Sequence, residues 1–98
     1  MATEWIDAHV VRIAVAGEVD AANAQELREY VYRRAANCRS LVLDLRDVTF
    51  FSTAGFSTLR TIGVRCDRAN VRWTLNGSPA VSRVIDICDP DRADMMLS

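Results

Sequence analysis

Residues 41–57 read Leu-Val-Leu-Asp-Leu-Arg-Asp-Val-Thr-Phe-Phe-Ser-Thr-Ala-Gly-Phe-Ser, and their rhythm decides the fold. Leu41 to Leu45 is apolar except for Asp44, the pattern of a strand covered on at least one face and central in its sheet. Val48, Phe50 and Phe51 form a second apolar patch, followed by the hydroxyls Ser52 and Thr53 and the small pair Ala54-Gly55. From Phe56 the spacing changes. Phe56, Leu59, Ile62 or Gly63, and Cys66 recur at steps of three and four, one face of a helix. The stretch therefore reads as strand, loop and helix, with two adjacent hydroxyls at the junction.

Working outward, Thr3 to Ile6 reads as a short strand. His9 to Ala16 alternates, with Val11, Ile13 and Val15 on one face, and pairs with it as a hairpin or neighbour. Gly17-Glu18-Val19-Asp20 reads as a turn. Asp20 or Asn23 caps the next helix, and Glu26, three beyond Asn23, favours the second choice. Ala24, Leu27, Val31 and Ala35 make its inner stripe, and it ends near Asn37. Strand, helix and strand in this order imply a parallel pair joined by a crossover. Val71 to Leu75 is a further strand, Asn76-Gly77 a turn, and Ser78-Pro79 a helix start with Ser as cap and Pro at the first position. Val81, Val84, Ile85 and Cys88 are its apolar stripe; Asp89-Pro90-Asp91 stops it, and Arg92 to Ser98 reads as a short last element or a tail.

The 98 residues, half of them hydrophobic, suit one domain over 1–98 with a single core. A formal charge of −1 gives no electrostatic bias toward nucleic acid or an anionic membrane. All 12 basic residues are Arg. Cys38, Cys66 and Cys88 match neither a zinc pattern nor a disulfide framework and read as small buried hydrophobes. No signal peptide is visible and no run is long enough to cross a bilayer, so a cytoplasmic, soluble protein without membrane insertion is expected.

The chemistry of catalysis is missing from the pattern. His9 is the one histidine, in or beside a strand, and reads as structural or solvent-facing. Gly17, Gly55, Gly63 and Gly77 match neither dinucleotide nor phosphate-loop spacing. Asp44 and Asp47, without histidine or further carboxylates nearby, make a poor metal site. The expectation is no enzyme, no cofactor and no metal. Thr53 stands instead where a helix begins, a place whose backbone N–H groups favour negative charge and where a phosphoryl group can abolish a protein contact. A simple N-cap role for Ser52 or Thr53 explains the same residues.

The run Leu-Asp-Leu-x-x-Val-x-Phe-Phe-Ser-Thr-Ala-Gly-Phe, residues 43–56, resembles the core motif of the STAS domain family, which includes bacterial anti-sigma factor antagonists. Gly17-Glu18-Val19-Asp20-Ala21-Ala22-Asn23 resembles the family's Gly-Glu-Leu-Asp loop, upstream as expected. The resemblance implies an α/β, STAS-like domain: a mixed, mostly parallel sheet of four or five strands with three or four helices packed against it. It implies a protein-binding switch that captures an anti-sigma factor, itself a serine-threonine kinase, and so controls transcription through a sigma factor. Thr53 takes the phosphoacceptor position, with a phosphatase reversing the modification, and Asp20 that of the loop acid aiding partner binding. Gly55 and Phe56 take the small and apolar positions that begin the helix. Ser52, Thr53, Ala54, Gly55, Phe56 and Asp20 are then the partner-binding set, with no direct nucleic-acid contact; a weak homodimer is compatible. Phe56 serves equally as the apolar centre of an interface or as core packing.

The sequence departs from the pattern in one place. Antagonists usually carry Asp immediately before the acceptor, and here that residue is Ser52, a second candidate acceptor. The change also admits a different family role, a constitutive subunit of a lipid-transport ABC complex or of a stress-signalling assembly.

Overall fold

Alternate side chains of a strand point to opposite faces. Val11 and Ile13 lie beside Leu41 and Leu43 in parallel register, so both apolar sets face one side. The computed structural model, which describes residues 1–89, builds the core on that side. Its strands are β1 (Ala2–Trp5), β2 (Val10–Val19), β3 (Ser40–Phe51) and β4 (Arg72–Gly77). They form one sheet in the order β1-β2-β3-β4, with β1 antiparallel to β2 and the other two pairs parallel. The mixed, mostly parallel α/β sheet is thus as expected, and β3 is flanked on both sides. The expected element over Arg92–Ser98 lies outside the described residues.

Three helices among the described residues, α1 (Ala24–Arg34), α2 (Thr53–Arg68) and α3 (Pro79–Cys88), carry the chain away from successive strand ends. Leu27 and Val31 of α1, Leu59 and Ile62 of α2, and Val81 and Ile85 of α3 share one cluster with the inward strand residues. Burying such side chains is worth roughly 1.5–3 kcal/mol each and drives the assembly. The other sheet face carries Glu4, Arg12, Ala14, Val42 and Thr74, exposed or half-buried, with Asp44 buried among them. Asn70 adopts the left-handed conformation directly after the C-cap of α2 and so ends that helix, while Asn37 adopts it two residues past the C-cap of α1, turning the chain toward β3.

Several local expectations are corrected. β3 does not stop at Leu45 but runs to Phe51, and the expected turn at Gly17-Glu18-Val19 is strand. The cause is two irregularities in the β2–β3 ladder, between Ala14 and Ala16 and between Gly17 and Glu18, each placing one extra residue in β3. Those insertions keep Leu45, Val48 and Phe51 all buried although they stand three apart, a spacing that hides a strand. Asp47 therefore pairs with Ala16 within the sheet. Asn76-Gly77 likewise ends β4 beside Asp44 and Leu45. Cys38 and Cys66 are buried as expected, whereas Cys88, at the last turn of α3, is exposed.

Candidate functional site

Because α1, α2 and α3 all follow strands that end at the same side of the sheet, their N-termini gather there. Parallel α/β sheets place sites at this end. The junction between β3 and α2 is fixed from both directions. The Ser52 N–H donates to the carbonyl of Val19 at 3.0 Å, tying the start of α2 to the end of β2. Ser52 is the N-cap of α2, its Oγ accepting from the Gly55 N–H at 3.3 Å. That bond satisfies one of the donors a helix start leaves open. Thr53 is the first helical residue and is exposed, while Ala54 is half-buried.

Val19 leads directly into Asp20, so the two expected motifs meet. Asp20 Oδ1 accepts from the Ala22 N–H at 2.9 Å, and its carbonyl accepts from the Ala24 N–H at 2.9 Å. Asn23 is the N-cap of α1 by position, yet its side chain makes no cap bond to the helix. Instead Asn23 Oδ1 accepts from the Asp20 N–H at 2.9 Å and its Nδ2 donates to the Glu18 carbonyl at 2.9 Å. The loop is thus closed on itself, with the half-buried Asp20 beside the junction.

Gly55 and Phe56 come to the same place but turn inward. A Cβ on Gly55 would stand 2.7 Å from the Phe51 ring, so glycine is what lets α2 start this close to β3. Phe56 is only 7% exposed, which makes it core and leaves a partner little of it to touch. The apolar surface at this end is supplied by Phe50, 51% exposed, a residue that the sequence pattern groups with its buried neighbour Phe51. Only the second ladder irregularity, invisible in an apolar pair, turns Phe50 outward. His9 lies at the opposite end, where its carbonyl accepts from the N–H groups of Arg39 and Ser40.

On the open sheet face, Asp44 is 5% exposed and is held by two arginines. Arg46 donates to it from Nε at 2.9 Å and Nη2 at 2.8 Å, its backbone N–H donates at 3.1 Å, and Arg12 donates from Nη2. The Arg46 side chain above all holds the carboxyl well below the usual carboxylate range; the cost of burial opposes this and is outweighed. The backbone bond spans Asp44 to Arg46, across the first ladder irregularity, so Asp44 braces the strand that delivers Ser52 and Thr53. Among the described residues, no group of three or more His, Cys, Asp or Glu is placed to hold a metal ion. No described helix is long and apolar enough to cross a membrane.

Fold and junction together define an α/β domain that presents an exposed hydroxyl at a helix start beside an acidic loop. The chain belongs to the STAS domain family, whose model matches residues 4–93. It is 41% identical over 69 residues to Osmosensory protein A of Mycobacterium tuberculosis, a match covering 70% of this chain and 44% of that protein. The chain therefore spans less than half the length of this relative. In structure it is similar to the anti-sigma factor antagonist SpoIIAA in its unphosphorylated form, with a TM-score of 0.78 and 18% identity over 99% of this chain and 86% of the other. An anti-sigma factor antagonist from Mycobacterium paratuberculosis also gives 0.78, at 23% identity over 98% of this chain and 81% of that one. The STAS domain of a SulP transporter from Vibrio cholerae gives 0.67, at 16% identity over 92% and 71%. At these identities the structural matches establish the shared fold.

Proposed function

We propose that this chain is a non-catalytic switch of the anti-sigma factor antagonist kind, binding an anti-sigma factor through the Asp20 loop and the start of α2 and released by phosphorylation of Thr53. The observation that carries the reading is the contrast at the junction. Ser52 is half-buried and engaged as the helix cap, whereas Thr53, one residue on, is exposed at the helix start. A kinase can reach Thr53 without breaking the cap, and the open N–H groups of the first turn tolerate the added charge within the free protein. In a complex the same phosphate would be desolvated against the partner, which costs several kcal/mol without a cation to receive it. Phe50, near the end of β3, provides an exposed aromatic at the same end of the sheet, the type of residue that anchors interfaces.

The test is incubation with ATP and the anti-sigma kinases of the same organism, followed by intact-mass analysis and site mapping, with binding titrations of Thr53→Ala and Thr53→Glu. One phosphate on Thr53, binding kept by the Ala variant and lost by the Glu variant support the switch. Equal binding by both variants overturns it. The Ser52 side chain, which caps the helix where a carboxylate is usual in antagonists, favours a second reading as a constitutive STAS subunit. A stable complex that is indifferent to phosphorylation would select that one.

A further inference from the structure

The outer flank of α2 continues from Thr53 away from the junction. Residues three and four apart on a helix share a face, so Thr53, Ser57, Thr61, Val64 and Arg68 form one exposed stripe. Along its far half this stripe borders a groove of about 540 Å³ against α1, lined on α2 by Arg60, Thr61, Val64, Arg65 and Arg68 and on α1 by Tyr32. Its chemistry is one-sided. Val64 is 44% exposed, and the guanidinium of Arg65 lies 4.3 Å from the centre of the Tyr32 ring. Among the described residues no carboxylate lines the groove. The one acid of α2, Asp67, sits a turn beyond Gly63, which faces Trp73 of β4, and so lies on the opposite flank.

Arginines in a last helical turn also complement the helix dipole. That accounts for basic residues near this end but not for an exposed valine and an aromatic ring set among them. A tyrosine, three arginines and an exposed aliphatic residue are instead the composition of a protein interface. The ring stacked under Arg65 holds its fork in place, so less side-chain freedom is lost when it meets a carboxylate.

We propose that this α1–α2 groove is a second contact with the partner protein, receiving an acidic segment whose carboxylates meet Arg65 and Arg68 while an apolar side chain covers Val64. The inference rests on the anti-sigma reading and extends its interface along α2, away from the phosphoacceptor. The experiment is a titration of the anti-sigma kinase with the whole protein and its Arg68→Glu, Arg68→Lys, Val64→Asn and Thr53→Glu variants at two salt concentrations. Arg68→Glu and Val64→Asn should each weaken binding by about tenfold, with Arg68→Glu also flattening the salt dependence, and Arg68→Lys should stay within about threefold of the parent. Unchanged affinity for Arg68→Glu and Val64→Asn, with Thr53→Glu still non-binding, overturns the groove contact and leaves the switch standing. Failure of the parent protein to bind any such kinase overturns both. Thermal unfolding of each variant separates lost contact from lost fold: Val64→Asn and Arg68→Lys should keep the parent Tm, and Arg68→Glu should lower it only slightly, by reversing one charge at the helix end.

Discussion

Ser52 and Thr53 are chemically alike and adjacent, yet one hydroxyl closes a helix and the other faces solvent. Ser52→Ala should therefore cost about 1 kcal/mol in urea unfolding, and Thr53→Ala almost nothing. Asp44 gives a pH-dependent counterpart. Its folded-state carboxyl titrates below the ordinary value of about 3.9, so its stabilisation is present above that pH and is lost as the pH falls through the folded value. Asp44→Asn should be less stable than the parent by about 1 kcal/mol at pH 7, a modest figure because Arg46 is largely in solvent, and the gap should shrink progressively below about pH 4. A difference that stays constant down to pH 2 would remove the ion-pair account. The thiols divide just as sharply. Burial first, then neighbouring Cys38 and Asp67, push the Cys66 thiol up to about 11, while Cys88 is exposed. Iodoacetamide on the native protein at pH 8 should label Cys88 and spare Cys38 and Cys66, as read by peptide mapping. The place of Thr53 at a helix start is legible because a hydroxyl at a change of rhythm is a local signal, whereas Asp20 is singled out only by the resemblance of its loop, its local chemistry reading as a turn or cap. The exposure of Phe50 is not legible, since its direction depends on a neighbouring strand.

The elements show the same division. Helical stripes such as Phe56, Leu59, Ile62 and Cys66 were readable because the period of a helix is set by its own backbone, and all four are buried. Strand ends were not, because Gly17 and Asn76-Gly77 carry turn chemistry but receive their hydrogen bonds from adjoining strands. Packing between elements is still further from the sequence. Gly63 reads as an alternative core position of α2, yet a Cβ there would lie 2.5 Å from the Trp73 ring, so its absence sets how near α2 approaches β4. Gly63→Ala gains up to about 1 kcal/mol of helix propensity. The displaced indole costs more, because overpacking is worth roughly 1–3 kcal/mol. The variant should be less stable in chemical denaturation, and a stabilised Gly63→Ala would show that Trp73 moves freely.

Taken whole, the molecule carries its proposed switch on a frame that has no need to move. The junction is anchored by the Ser52–Val19 bond and by Phe51 beneath Gly55, and α2 is joined to α1 by the Thr58 hydroxyl on the Ala24 carbonyl and by Arg65 on Tyr32. Thr53 lies outside all of these contacts. Negative charge there meets the helix N-terminus, which favours it by about 0.3–1 kcal/mol, so Thr53→Glu should fold as well as the parent or slightly better. Its amide hydrogen exchange should match the parent everywhere beyond the first turn of α2, even as partner binding is lost. That combination separates two mechanisms with the same binding phenotype. If charge acts by occlusion, exchange stays fixed and only the partner's affinity changes. If it acts by rearranging the domain, protection must fall in β3 or α2, because a change of state requires a difference in stability between the two forms. Widespread loss of protection in Thr53→Glu would therefore overturn the occlusion mechanism even with the phosphosite correct. The close packing of both helices against one core makes the fixed pattern the expected result.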